Sequence, residues 1–149
     1  MTLDVMMESP LVGDVAGNLR VLVGRLLRAL QAQDPEDGLS MSKVSVLSRL
    51  ADDGPASAST LAAAERVRPQ SMSATLAALE AEGLVARRPH PTDRRQILIE
   101  LTEQGWETAR SARRSREDWL TRVLEAEYDQ EELRLLSRAI ELLERLAER

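Results

Sequence analysis

Along most of this chain the apolar residues recur at three- and four-residue spacing, and one stretch breaks that rhythm. Ile97-Leu98-Ile99-Glu100-Leu101 is a compact β-rich run, too short to make a helix of its own. Val85-Ala86-Arg87-Arg88 precedes it, followed by the breaker segment Pro89-His90-Pro91-Thr92-Asp93. Proline locks φ and removes an amide donor, so a helix cannot continue through that segment. The two runs therefore read as a β-hairpin with Arg94 and Arg95 at its tip. A chain with this single interruption must be mainly α, with one small β element that packs against helices.

The helices follow from periodicity and punctuation. Leu19, Leu22, Val23, Leu26, Leu27 and Leu30 predict a helix over 11–33, ended by Asp34-Pro35-Glu36-Asp37-Gly38, with the first ten residues frayed. Val44, Leu47 and Leu50 predict a second helix over 42–52, stopped by Gly54-Pro55. A third, short helix covers 58–65, with the Ser57 hydroxyl placed to cap its free amides. Arg66-Val67-Arg68 is a turn. Pro69 suits the first position of a fourth helix, which carries Met72, Leu76 and Leu79 on one face and ends near Gly83. Thr102 caps a long helix reaching about residue 126, with Gly105 as an expected weak spot, and a last helix runs over 130–147. The third and fourth helices sit about three residues apart, the spacing of a helix-turn-helix.

Composition removes whole classes of function. Cysteine is absent and His90 is the single histidine, so disulfides, thiolate chemistry and an ordinary zinc site are not expected. Aromatics make up 2% of the chain, so the core must come from Leu, Val, Ala, Met and Ile. No apolar run approaches the ~18–20 residues that span a bilayer. The N-terminus lacks the basic segment of a secretory signal. A cytoplasmic protein with no cofactor, no metal and no membrane contact is expected. No nucleophile–base–orienter set and no glycine-rich phosphate loop is present, so an enzyme is not expected either.

Net charge is −5, which taken alone argues against a nucleic-acid partner, but the charge is unevenly placed. From Arg66 to Gln96 there are six arginines against Glu80, Glu82 and Asp93, a local +3 that leaves −8 for the remainder. Lys43 is the only lysine, so the positive charge is almost all guanidinium, which suits bidentate contact to phosphates and base edges.

Three stretches carry a resemblance to a known family. They are Ser57-Ala58-Ser59-Thr60-Leu61-Ala62; Gln70-Ser71-Met72-Ser73-Ala74-Thr75-Leu76 with its exit Glu80-Ala81-Glu82-Gly83-Leu84-Val85; and Pro91-Thr92-Asp93-Arg94-Arg95-Gln96 leading through the strand into Leu101-Thr102-Glu103-Gln104-Gly105. Together they resemble the MarR family of winged helix-turn-helix transcriptional regulators, and the flanking helices extend the likeness over nearly the whole length. The resemblance implies one unit over 1–149: a winged helix-turn-helix lobe at about 40–102, and dimerisation helices at about 11–34 and 103–149. The chain departs from the family pattern at Arg68, where a capping Asp or Ser is frequent. Ala74 stands where a DNA-contacting Arg is frequent, and His90 where an Asp often precedes the wing proline.

Double-stranded DNA is the expected partner, contacted by Arg68, Pro69, Gln70, Ser71, Ser73, Ala74, Thr75, Arg87, Arg88, Asp93, Arg94 and Arg95. The Gln70 amide can donate and accept at once, which suits adenine, while Ser71, Ser73 and Thr75 can reach phosphate or base edges. By the resemblance, Arg95 enters a minor groove and Asp93 orients it through a charge-assisted hydrogen bond. Arg87 and Arg88 are expected on phosphates, and one of Arg66 and Arg68 likewise. His90 reads as an exposed loop histidine. Trp106 and Trp119 read as core or interface, though family members often bind aromatic effectors beside their dimer helices. The apolar stripes of the first and last two helices are wider than one small domain needs, so a homodimer is expected. The leading expectation is a homodimeric repressor on a pseudo-palindromic operator, either ligand-independent or released by a small-molecule effector of unknown identity. The competing expectation is a winged-helix protein–protein interaction module with only weak, non-specific DNA binding.

Overall fold

The computed structural model describes residues 10–33 and 39–149. Its elements run in the order α1 (Pro10–Gln31), α2 (Met41–Asp53), β1 (Ala56–Ser57), α3 (Ala58–Glu65), α4 (Pro69–Ala81), β2 (Val85–Pro89), β3 (Ile97–Leu101), α5 (Glu103–Glu127) and α6 (Gln130–Ala147). The expected mainly α, winged helix-turn-helix architecture is what the chain adopts. The stop at Asp34–Gly38 and the fraying of residues 1–9 lie outside the described residues, whereas Pro10 already opens α1.

Local chemistry sets the element ends. Ser40, Ser57 and Thr102 each accept from the backbone N–H three residues on and so cap α2, α3 and α5. Asp129 and Glu132 form a reciprocal capping box at α6. At the end of α4, Gly83 adopts φ 74°, the Leu84 amide bonds the Leu79 carbonyl, and the Gly83 amide bonds Glu80. That is a Schellman closure, and Leu84 and Leu79 are both buried beside it.

The β element is larger than a hairpin. β2 and β3 pair antiparallel from Val85↔Leu101 to Pro89↔Ile97, and β1 adds a third strand through Ala56↔Ile99 and Ser57↔Leu98. Strand order is β1-β3-β2, so the returning strand is central and Ile99, 1% exposed, is its buried anchor.

One core joins the sheet to the short helices. Leu47 and Leu50 of α2, Leu61 of α3, Leu76 and Leu79 of α4, and Ile99 are each essentially sealed from solvent. Burying a leucine of this kind stabilises by roughly 1.5–3 kcal/mol. The core ends on the first turns of α5 at Ala109. There Gly105 corrects the sequence reading: it is a point of close approach, not a weak spot. A Cβ on Gly105 would stand 1.9 Å from the Leu84 carbonyl oxygen. Thr102 fastens the same junction, its amide bonding Leu84 and its hydroxyl donating to Gly83.

Candidate nucleic-acid interface

α4 is oriented by its buried side. Met72, Leu76 and Leu79 face the core, so helical periodicity turns Gln70, Ser71, Ser73 and Ala74 outward, all exposed. Thr75 is half-buried, and its hydroxyl donates to the Ser71 carbonyl at 3.1 Å. That bond occupies its only proton, leaving Thr75 an acceptor toward any outside group. Pro69 holds the first helical position, and exposed Arg68 stands at the cap position with no side-chain cap bond. The first-turn amides of α4 thus have no capping side chain.

The turn between α3 and α4 is tight for a reason absent from its composition. Arg66 sits in the left-handed region at φ 53° with no glycine or asparagine to ease it. The Val67 amide bonds the Ala62 carbonyl at 3.0 Å and closes the turn. Just before it, Glu65 accepts from the Ser45 hydroxyl and from Arg49 Nε at 2.7 Å, tying the end of α3 to α2. Burial pushes the Glu65 carboxyl up, but the bonds from Ser45 and Arg49 outweigh it and hold the group below its ordinary value. Lys43 pairs with Glu82 and ties α2 to the end of α4 as well. The spacing of α3 and α4 is therefore fixed from behind.

At the wing, the turn is built by side chains that bond backbone. The His90 amide bonds the Gln96 carbonyl, and the Gln96 amide bonds that of Asp93, both at 3.0 Å. His90 is half-buried and its Nδ1 accepts from the amides of Thr92 and Asp93. The reading of His90 as an exposed loop residue is thereby corrected. Asp93 Oδ1 accepts from the backbone N–H of Arg95 at 3.1 Å, so in this structure it shapes the turn and does not grip the guanidinium. Arg94 and Arg95 are exposed at the tip.

The remaining predicted arginines are already engaged. Arg87 Nε donates to Glu80 at 2.9 Å and Arg88 Nε to Glu100 at 2.5 Å, each pair more than a third exposed. The first pair bolts the wing base to the last turn of α4. An open groove of about 460 Å³ lies between Arg95 with Gln96 and the hydroxyls of Ser57, Ser59 and Thr60. Ser59 and Thr60, which sequence reasoning did not single out, line this groove beside Arg95, and the hydroxyl-rich run Ser57-Ala58-Ser59-Thr60 is the signal that could have drawn attention to them. Among the described residues no cluster of three metal-ligating side chains occurs, and no helix is long and apolar enough to cross a membrane.

A second concavity of about 350 Å³ lies away from the wing, among α1, α2 and α5. Trp106, with Arg110 over its ring at 5.6 Å, forms one wall, and the Arg113–Asp52 ion pair at 2.6 Å crosses from α5 to α2. Trp119 is not among its lining residues.

The comparisons with known proteins agree with this geometry. The MarR family profile matches residues 39–97, from two residues before α2 to the first residue of β3. An HTH-type transcriptional regulator of Mycobacterium bovis is 40% identical over 129 residues, covering 87% of this chain and 90% of its own. A solved Pseudomonas aeruginosa structure superposes with TM-score 0.84 at 32% identity, over 95% of this chain and 98% of that one. Apo MarR from Escherichia coli superposes with TM-score 0.76 at 18% identity, over 87% and 95%, a match that speaks for the fold. The chain belongs to the MarR family and is a helix-turn-helix DNA-binding transcriptional regulator.

Proposed function

We propose that this regulator works as a homodimer that represses transcription by occupying a pseudo-palindromic operator. α4 lies in the major groove, with Gln70, Ser71, Ser73 and the Ala74 methyl toward base edges, and the β2–β3 wing reaches an adjacent minor groove with Arg94 or Arg95. Thr75 contributes an acceptor, Asp93 the shape of the wing, and the amides behind Pro69 a phosphate site at the α4 N-terminus.

One observation carries the reading. Arg66, Arg68, Arg94 and Arg95 are exposed and hold no carboxylate among the described residues, while Arg49, Arg87 and Arg88 are all paired within the chain. Four unpaired guanidinium groups thus lie in the turn before α4 and at the wing tip, available to phosphates beside the uncharged polar face of α4. Arg87 and Arg88 each give their Nε–H to a carboxylate and keep their Nη donors for phosphate, so they brace the wing base and position the duplex.

The dimer is supported by α6, which buries none of its side chains although Leu136, Ile140, Leu143 and Leu146 share a face. α1 exposes Leu11, Val15, Leu22 and Leu26 in the same way. The effector belongs in the cavity among α1, α2 and α5, because the Arg113–Asp52 pair there links a dimerisation helix to the DNA-binding lobe.

The test is binding of purified protein to its own upstream DNA and to a random duplex across a salt series, with wild type and Arg95→Ala. Strong preference for the upstream DNA is expected, with a steep salt slope that becomes shallower by about one for each phosphate the variant no longer neutralises. Equal, weak affinity for both duplexes, unchanged by the substitution, would favour the interaction-module reading.

A further inference from the structure

In the turn that presents Arg94 and Arg95, one side-chain atom collects three donors. His90 Nδ1 lies 3.2 Å from the Thr92 amide, 3.1 Å from the Asp93 amide and 3.3 Å from the Thr92 hydroxyl. A ring nitrogen that accepts from backbone N–H groups carries no proton, so the imidazole is neutral with its hydrogen on Nε2. This is the job that an Asp or Asn side chain does in an Asx turn, where its oxygen accepts from the amide two residues on. An imidazole does it with a switchable acceptor. Once protonated, Nδ1 turns a donor toward two donors, and the turn loses the ring's share of its bonds and keeps only those of the backbone and Asp93.

We propose that His90 is the positioning residue of the wing: its neutral imidazole holds the 90–96 turn that presents Arg94 and Arg95, and protonation releases that turn. The charged groups of this region leave the acceptor unreplaced. Asp93, the carboxylate within the turn, already has its Oδ1 on the Arg95 amide. Arg88 and Glu100, on the two strands that lead into the turn, are paired with each other. Arg94 and Arg95 add two more cations beside any imidazolium. The chain has one histidine, so an acid-induced structural change that His90→Asn abolishes reports on this ring alone. The consequence for binding rests on the DNA reading above; the consequence for the turn does not.

The experiment has two arms, each with wild type, His90→Asn and His90→Ala. In the first, NMR of the free full-length protein follows the imidazole and the amides of Thr92, Asp93 and Arg95 from pH ~8 to ~5.5. The expected result is that these amides shift and lose protection along the imidazole's own titration in wild type. In His90→Asn, whose amide oxygen accepts without titrating, they stay put. In the second arm, at pH ~8, His90→Ala binds upstream DNA roughly three- to tenfold more weakly, and His90→Asn restores affinity to within about twofold. Amides that ignore the imidazole titration, or His90→Ala with an unchanged turn and affinity, would overturn the proposal. If wild type itself shows no preference for the upstream DNA, the DNA reading fails, and the first arm still decides the turn.

Discussion

The central lobe and the flanking arms are built from the same aliphatic palette and end up in opposite states. Residues 39–102 hold almost every buried side chain of the described residues, and α5 adds only small ones at Gly105, Ala109 and Ala112. Residues 11–31 of α1 and all of α6 bury none, although α6 carries a complete capping box and a stripe of leucine and isoleucine. Capping and periodicity are local and decide that α6 is a helix. Burial is not local, and an isolated helix of this length is marginal in water. The lobe is complete within one chain, whereas the arms have helical form and no core, which is what half of a two-chain bundle looks like.

The comparison breaks most sharply in the arms. In the proposed homodimer, Ile140→Glu combined with Leu143→Glu puts four carboxylates at the two-fold interface and removes apolar burial from both chains. It is expected to raise the dimer dissociation constant at least about a thousandfold by sedimentation. Unchanged association would move the interface elsewhere. In the lobe, Leu76→Ala leaves a cavity in a core that has no second chain to close it. A loss of roughly 2–5 kcal/mol is expected by denaturant unfolding at fixed protein concentration. A loss below about 1 kcal/mol would show that the lobe is not the self-sufficient part.

Gly105→Ala probes the joint between lobe and arm. The added methyl meets the Leu84 carbonyl, which is backbone and cannot turn aside, so the substitution is expected to cost about 1–3 kcal/mol despite alanine's better helix propensity. A net stabilisation would mean the joint is looser than this approach indicates. The smallest effect belongs to Glu65→Gln, at about 1 kcal/mol, because Arg49 is 36% exposed and solvent screens the pair. Glu65 is held below its ordinary value, so its contribution is present at neutral pH and fades as pH falls through that lowered value. The stability gap between wild type and Glu65→Gln should therefore close on acidification, and a gap that widened would contradict the assignment.

What could be read from sequence divides along the same line between local and distant causes. Ser57, Thr102, Pro69 and Gly83 announced their roles because caps act within one helical turn. β1 was missed because nothing in Ala56-Ser57 favours a strand, and only β3 alongside makes it one. The left-handed Arg66 had no glycine to signal it and is held by Glu65 with Ser45 and Arg49 from another helix. At the wing, sequence placed Arg94 and Arg95 at the tip. It paired Asp93 with Arg95, which the turn does through the Arg95 amide, and misread His90, whose ring acts on backbone amides whose direction is set only by the folded turn. Gly105 was read by its entropy cost because the Leu84 carbonyl it must pass lies in another element.

The most direct test of a complete lobe on incomplete arms is the mass of the protein by sedimentation, alone and on a duplex from its upstream region. The account predicts two chains together before DNA is added and the same two chains on each duplex. One chain per duplex, or a monomer that stays folded and binds with full affinity, would contradict it.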